Sequence, residues 1–162
     1  MKINGQTLAK PSVEFIDLPR INEEGEACDI VFVFQAIPSF KEFDEMCPVP
    51  EPRSGIKADG TKFIDTNHKK YQDALTQYAK DKLNWQFLKS IEATPGLEWD
   101  TVNIQNQETW DNWKQELGEQ GITEHEQNKI FQTFLSANSM SEQKFQDAKD
   151  RFLASGGLQR IS

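Results

Sequence analysis

The sequence is poor in the residues that most catalytic and metal sites use: it has two cysteines and two histidines in 162 residues. Cys28 and Cys47 do not form a CxxC pair, so the sequence gives no support for a zinc site or thioredoxin-type chemistry. Reduced thiols are the simpler interpretation, and a disulfide is the alternative. His68 and His125 fall at predicted helix starts, where we expect solvated side chains; a Ser–His or Cys–His nucleophile pair is the alternative.

The sequence also lacks the motifs that mark common catalytic and binding sites. There is no GxGxxG and no GxxxxGK(S/T) loop to bind phosphate, and there is no GxSxG nucleophile elbow. Carboxylates are numerous, but none has the DxDxDG spacing of a calcium loop. We therefore predict a protein that is not an enzyme and that uses no cofactor and no metal ion.

Positive charge is scarce, with 18 Lys and Arg against 26 Asp and Glu, for a net charge of −8. A protein that binds duplex nucleic acid needs a basic face to displace counterions, so nucleic acid and anionic membranes are disfavoured as main partners. Basic or amphipathic protein surfaces suit this charge better. No apolar run approaches the roughly 20 residues that cross a bilayer, and no secretory signal is visible in MKINGQTLAKPS. We expect a cytoplasmic protein.

What the chain does contain is enough bulk for a core. A chain of about 150 residues buries roughly 70% of its unfolded surface. Here 36% of the residues are hydrophobic, and 11 Phe and 4 Trp supply the largest side chains. The length fits one domain, or one domain with a small appendage.

The first third has the pattern of β-structure. Residues 13–18 and 29–37 are short, β-branched and aromatic, and a polar, acidic stretch separates them, which predicts a hairpin. The second strand is apolar on both faces, so we expect the later helices to cover both of them. Asn4-Gly5 favours another tight turn, and Ala58-Asp59-Gly60-Thr61 indicates either a small hairpin or a mobile loop.

A long helix is predicted over about residues 68–92, capped by Thr66 or Asn67 and ended by Thr94-Pro95-Gly96. At 1.5 Å per residue it would be roughly 37 Å long. Its apolar residues recur with the helical period: Tyr71, Leu75, Tyr78, Trp85, Leu88 and Ile91.

Capping boxes at Ser39, Thr123 and Ser139, each with Glu three residues later, predict further helix starts. We predict an α+β fold in which an N-terminal antiparallel β hairpin or small sheet packs on the long central helix. Residues 1–104 would form this α+β domain, with a proline-rich connector at 48–52. Residues 105–157 would form a helical subdomain with compactly packed helices, and residues 158–162 a frayed tail.

Large apolar residues in the C-terminal third allow two interpretations. The first is that they fill the core, and the second is that they dock a partner, because aromatic residues are enriched at interface hot spots. The candidates for protein binding are Trp110, Trp113, Phe131, Phe134, Leu135, Phe145 and Phe152.

Several blocks give the chain a family resemblance. They are Leu88–Val102, the C-terminal stretch Ile130–Leu153, the opening Met1–Gly5 and the strand Asp29–Phe32. Together they resemble small proteins of tailed bacteriophages, and the nearest family is the siphophage-like tail assembly chaperones. The proline-rich segment and the β hairpin depart from a simple helical chaperone.

The resemblance implies a non-enzymatic helper of virion assembly in the host bacterial cytoplasm. Its partners would be the tape measure protein and/or the tail tube subunits. Three alternatives stay open. The first is a structural or accessory tail protein of the virion, since a small sheet has an exposed edge. The second is a phage protein that binds a host or defence protein, and the third is a small enzyme with a Cys or His site.

Overall fold

The computed structural model describes residues 2–3, 6–7, 11–139 and 142–161, and side chains within 11–139 and 142–160. The strands are β1 Lys2–Ile3, β2 Gln6–Thr7, β3 Val13–Leu18, β4 Ile30–Gln35, β5 Arg53–Ile56 and β6 Lys62–Asp65. The helices are α1 Lys41–Met46, α2 Lys69–Ile91, a 3₁₀ helix Gln107–Asn112, α3 Trp113–Glu119, α4 Glu124–Asn138, α5 Glu142–Ala154 and α6 Gly157–Ile161. The predicted α+β class is confirmed.

The described strands form three separate antiparallel pairs: β1 with β2, β3 with β4, and β5 with β6. The hairpin predicted from residues 13–18 and 29–37 is therefore confirmed as β3–β4. The turn around Gly60 closes the β5–β6 hairpin, and Gly60 has a φ of 85°, which favours glycine.

The β3–β4 hairpin is covered on one face only, so the expectation that helices cover both faces of β4 is wrong. Phe32 and Phe34 point into the core, where the Phe34 ring contacts Phe87 of α2 and Phe134 of α4. Val31, on the other face, is exposed. Both packed helices lie on the inner face, and this leaves an apolar outer face.

Helix α2 confirms the predicted long helix, with 23 residues between Lys69 and Ile91. Its N-cap is His68 rather than Thr66 or Asn67, and no side chain caps it. Its buried residues begin at Asp81, so only the C-terminal half anchors the helix in the core. Thr94 follows that half and holds the edge of β4: the Thr94 hydroxyl accepts from the Val33 amide at 2.8 Å and donates to the Val33 carbonyl at 3.0 Å.

The three predicted capping boxes have different outcomes. At Thr123 both reciprocal hydrogen bonds with Glu126 form. At Ser39 the N-cap of α1 is Phe40, although the Ser39 hydroxyl still accepts from the Lys41 amide. Ser139 is the C-cap of α4, and residues 140–141 lie outside the described residues.

A single aromatic cluster joins the N-terminal and C-terminal parts. Phe87 of α2 stacks on Trp113 of α3 with ring centroids 4.1 Å apart, and it also contacts Phe131 and Phe134 of α4. The core therefore crosses the boundary that the sequence suggested near residue 104, and α3 and α4 pack on the same core as the hairpin.

The C-terminal end differs from the expected compact helix packing. Helix α5 contains no buried residue, so its apolar side chains do not pack into α4. Residues 157–161 form α6 instead of a frayed tail. Its first residue, Gly157, lies so close to the Phe152 ring that a Cβ there would be 2.5 Å from the ring carbons.

Candidate protein-binding surfaces

Three of the seven predicted binding residues, Trp110, Trp113 and Phe134, are buried in the core. The Trp110 indole donates to the Ile104 carbonyl at 3.0 Å, and the Trp113 indole donates to the Asn84 side chain at 3.0 Å. Because both indole N–H groups are used within the chain, these residues fit the core interpretation. They are removed from the candidate surface.

Phe131 is half-buried and lies at the rim of the same core. Its ring is parallel to that of Trp113, with an interplanar angle of 2° and centroids 6.4 Å apart. Leu135, one helical turn further along α4, is exposed. Phe131 therefore supports the packing, whereas Leu135 is accessible to a partner.

Helix α5 carries the largest exposed part of the predicted set. Phe145 is 57% exposed and Phe152 43%, and Leu153 beside it is 48% exposed. Phe145 and Phe152 are seven positions apart and so lie on the same side of the helix. We term Phe145, Phe152 and Leu153, with exposed Leu158 of α6, the α5 surface.

Polar contacts join α5 to β3 and α4. The Lys144 ammonium pairs with the Glu14 carboxylate of β3 at 2.9 Å and also donates to the Ser136 carbonyl. Glutamine–aspartate pairs such as Gln143 with Asp147 stabilise the helix itself. Phe145 and Leu153 are left largely exposed, and this arrangement is suited to binding a partner.

A second exposed apolar surface, on β3–β4, was missed by sequence reasoning. Its members are Val13 at 52%, Phe15 at 69% and Val31 at 43% exposure. Strand register places Phe15 opposite Val33 and Asp17 opposite Val31. The available signal was that β3 and β4 each have apolar residues at odd and even positions, but this pattern does not say which face a helix will cover.

The nucleophile candidates Cys28 and Cys47 differ in exposure. Cys28 is exposed and Cys47 is buried. Burial, and then the Asp81 carboxylate, raise the pKa of the Cys47 thiol, which disfavours its reactive thiolate. His68 is the N-cap of α2 and His125 lies in the first turn of α4. Within the residues that the structure describes, no group of three or more His, Cys, Asp and Glu side chains could hold a metal ion.

A buried carboxylate, that of Glu116, binds backbone instead. It accepts hydrogen bonds from the amides of Asp100, Thr101 and Val102 at 2.6–3.0 Å, and from the Thr101 hydroxyl at 2.5 Å. Burial raises the pKa of Glu116, but the hydrogen bonds from Thr101, Asp100 and Val102 outweigh it, so the pKa lies below its ordinary value. Glu116 therefore stays ionised and fixes the loop after α2.

Comparison with known proteins gives no relative: no protein-family model, no curated protein and no solved structure matches the chain. None of the helices in the described ranges is long and apolar enough to pass through a bilayer.

Proposed function

We propose that this protein is a non-enzymatic phage tail assembly chaperone that acts in the host bacterial cytoplasm. It binds the tape measure protein and/or tail tube subunits during virion assembly. The observation that carries the proposal is the α5 surface, a set of exposed apolar side chains at helical spacing, none of which is buried in the core. The resemblance of the Leu88–Val102 and Ile130–Leu153 blocks to tail proteins supports the choice of partner.

The physical role follows from this surface and from the net charge. A long apolar helix aggregates unless its stripe is covered, and a partner helix can cover it through side chains at i, i+3, i+4 and i+7. Phe145 and Phe152 supply the i and i+7 anchors. The net charge of −8 on this chain makes its copies repel one another, which opposes aggregation of the chaperone when it is bound to its partner.

A second candidate function is a structural or accessory tail protein, and the β5–β6 hairpin favours it. Within the described chain, this two-stranded pair packs closely with no other helix or strand. Ile56 is 70% exposed and Ile64 is 67% exposed. Open strand edges with apolar residues pair readily with a neighbouring chain, as subunits of a particle do.

Co-expression with the tape measure protein of the same phage, followed by a pull-down, tests the proposal. We expect co-purification with the natural chain and its loss in Phe145→Gln/Leu153→Gln. Phe152 is left in place because it also packs on Gly157. The matched control is Ile56→Gln/Ile64→Gln, which removes two exposed apolar side chains elsewhere and should bind normally.

Two results would reject the chaperone function. One is no co-purification under any salt condition. The other is many copies of the protein in purified particles by mass spectrometry, which would favour the structural role instead.

A further inference from the structure

The outer face of the β3–β4 hairpin combines an apolar strip with an acidic end. Val13, Phe15 and Val31 form the exposed part of the strip, and Val33 lies half-buried opposite Phe15. Side chains of directly opposed residues on one face of an antiparallel pair are about 5 Å apart. Phe15 and Val33 are therefore adjacent, and the strip is continuous across both strands.

The end of β3 and the loop that joins it to β4 form an acidic tip. Residues 17–29 contain five carboxylates and one basic residue. The basic residue is Arg20, whose guanidinium is already bound to Glu126. The five carboxylates of the tip are Asp17, Glu23, Glu24, Glu26 and Asp29.

The tip is ordered by its own hydrogen bonds. The Asn22 side-chain oxygen accepts from the amides of Glu24 at 3.0 Å and Glu26 at 2.8 Å, and the Gly25 amide donates to the Asn22 carbonyl at 3.0 Å. Gly25 has a φ of 82°, a conformation that favours glycine. The carboxylates therefore project from a defined turn.

We propose that this outer face binds a basic amphipathic segment of a partner protein. The segment's apolar side chains cover the strip of Val13, Phe15 and Val31, while its Lys and Arg side chains contact the acidic tip. Complementary charge is the argument for this occupant, because it both attracts the segment and fixes its direction along the hairpin.

The same charge argues against two other occupants. A second copy of the chain would bring another acidic tip and another net charge of −8 towards this face. An anionic membrane surface attracts basic segments and repels this one. A basic polypeptide is the partner class that gains from both the strip and the tip.

The platform under the strip is preorganised. Phe32 and Phe34, on the opposite face of β4, are buried in the core, and Thr94 binds both backbone groups of Val33. The backbone of the strip is therefore already fixed before a partner binds. Binding then costs little conformational entropy of the hairpin, and this favours affinity. This surface is separate from the α5 surface, and the proposal does not depend on a role in tail assembly.

The test measures binding of a fluorescent synthetic peptide, with Leu and Lys placed at helical spacing, to the full chain by anisotropy. A peptide with Glu in place of Lys is the charge control and should not bind. We expect Phe15→Thr/Val31→Thr to weaken the Lys peptide about tenfold, as loss of roughly 1.4 kcal/mol of apolar contact implies. The matched variant Val49→Thr/Leu83→Thr removes two exposed apolar side chains that belong to neither proposed surface, and it should stay within about twofold of the natural chain.

A second variant pair tests the tip. Glu23→Gln/Glu24→Gln/Glu26→Gln should weaken binding and flatten its dependence on salt, because surface ion pairs are screened by salt. The control Glu45→Gln/Glu51→Gln/Glu108→Gln removes three exposed carboxylates elsewhere. Equal weakening by both triple variants would show attraction to overall charge and would overturn the proposal.

Cross-linking from Cys28 can locate the bound peptide on the chain. It lies in the tip two residues before β4 and is exposed, whereas Cys47 is buried, so a maleimide photo-crosslinker attaches selectively at Cys28. We expect cross-links to the Lys peptide that excess unlabelled peptide removes. Peptide binding without competed cross-links would place the contact elsewhere and overturn the proposal. Sedimentation of the chain alone gives a further test. A dimer of the natural chain that Phe15→Thr abolishes would identify a second copy as the occupant and would also overturn the proposal.

Discussion

The guanidinium of Arg20 forms a two-pronged ion pair with the carboxylate of Glu126, which lies 106 positions further along the chain. The Nη1–Oε1 distance is 2.8 Å and the Nη2–Oε2 distance is 2.9 Å. The same carboxylate accepts from the Thr123 amide in the capping box of α4. One side chain therefore joins the loop of the β3–β4 hairpin to the start of α4.

This pair predicts acid sensitivity. The hydrogen bond from Arg20, followed by that from the Thr123 amide, lowers the pKa of Glu126 from 4.5 to about 2. Because the folded pKa is the lower one, the stabilisation is complete above the unfolded pKa and is lost as pH falls through the folded pKa. Urea unfolding of the natural chain and Glu126→Gln should differ most near neutral pH, and the difference should shrink as pH falls from about 5 towards 2. A difference that does not change with pH would contradict this.

Substitution of Glu116 should lower the free energy of unfolding, because its carboxylate binds the backbone of the loop after α2. Glu116→Gln replaces one acceptor oxygen with an NH₂ donor that faces backbone amides, so at least one of these amides loses its partner. We expect a loss of about 1–3 kcal/mol in the free energy of unfolding, measured by urea denaturation. Glu119→Gln, on the exposed surface of the same helix, is the control and should change stability by less than about 0.5 kcal/mol.

Thr94 predicts a contrast between two conservative substitutions. Thr94→Val keeps the shape of the side chain but removes the hydroxyl that binds the amide and carbonyl of Val33, so we expect a loss of about 1–3 kcal/mol. Thr94→Ser retains the hydroxyl and should be clearly the more stable of the two. Hydrogen exchange of the Val33 amide should accelerate in the Val variant only; equal exchange in both variants would contradict the assigned role.

The shared core predicts that residues 1–104 do not fold alone. A fragment that ends there lacks Trp113, Phe131 and Phe134, which are three of the aromatic contacts of the Phe87 ring. We expect the fragment to show no cooperative thermal transition by circular dichroism, whereas residues 1–139 should retain one. A sharp transition in the short fragment would mean that the hairpin and α2 have a sufficient core of their own.

The sequence predicted those elements whose cause is local. The strands β3 and β4, helix α2 and the Thr123 capping box each follow patterns of residues a few positions apart, and all of them form. The helical period placed Trp85, Leu88 and Ile91 in the core correctly.

Features that depend on distant residues were not predictable in the same way. Helices α2 and α4 could have covered either face of the hairpin, and only the tertiary packing decides that Phe34 is buried and Phe15 exposed. For the same reason, the sequence could not tell which candidate binding residues are buried and which are exposed. Trp113 and Phe145 both lie on helices with apolar faces, but only the helix that carries Trp113 packs into the core. The pairing of Arg20 with Glu126 has no sequence signal at all.

The burial of three tryptophans determines what their intrinsic fluorescence reports. Trp85, Trp110 and Trp113 are all buried, and Phe87 stacks directly on Trp113. The emission of these three residues therefore monitors whether the interior is intact. The fourth tryptophan, Trp99, is half-buried and lines the same surface cavity as Val31 of the hairpin strip. A labelled ligand followed at a longer wavelength can then be titrated in the same cuvette, so that occupancy and integrity are recorded separately from one sample.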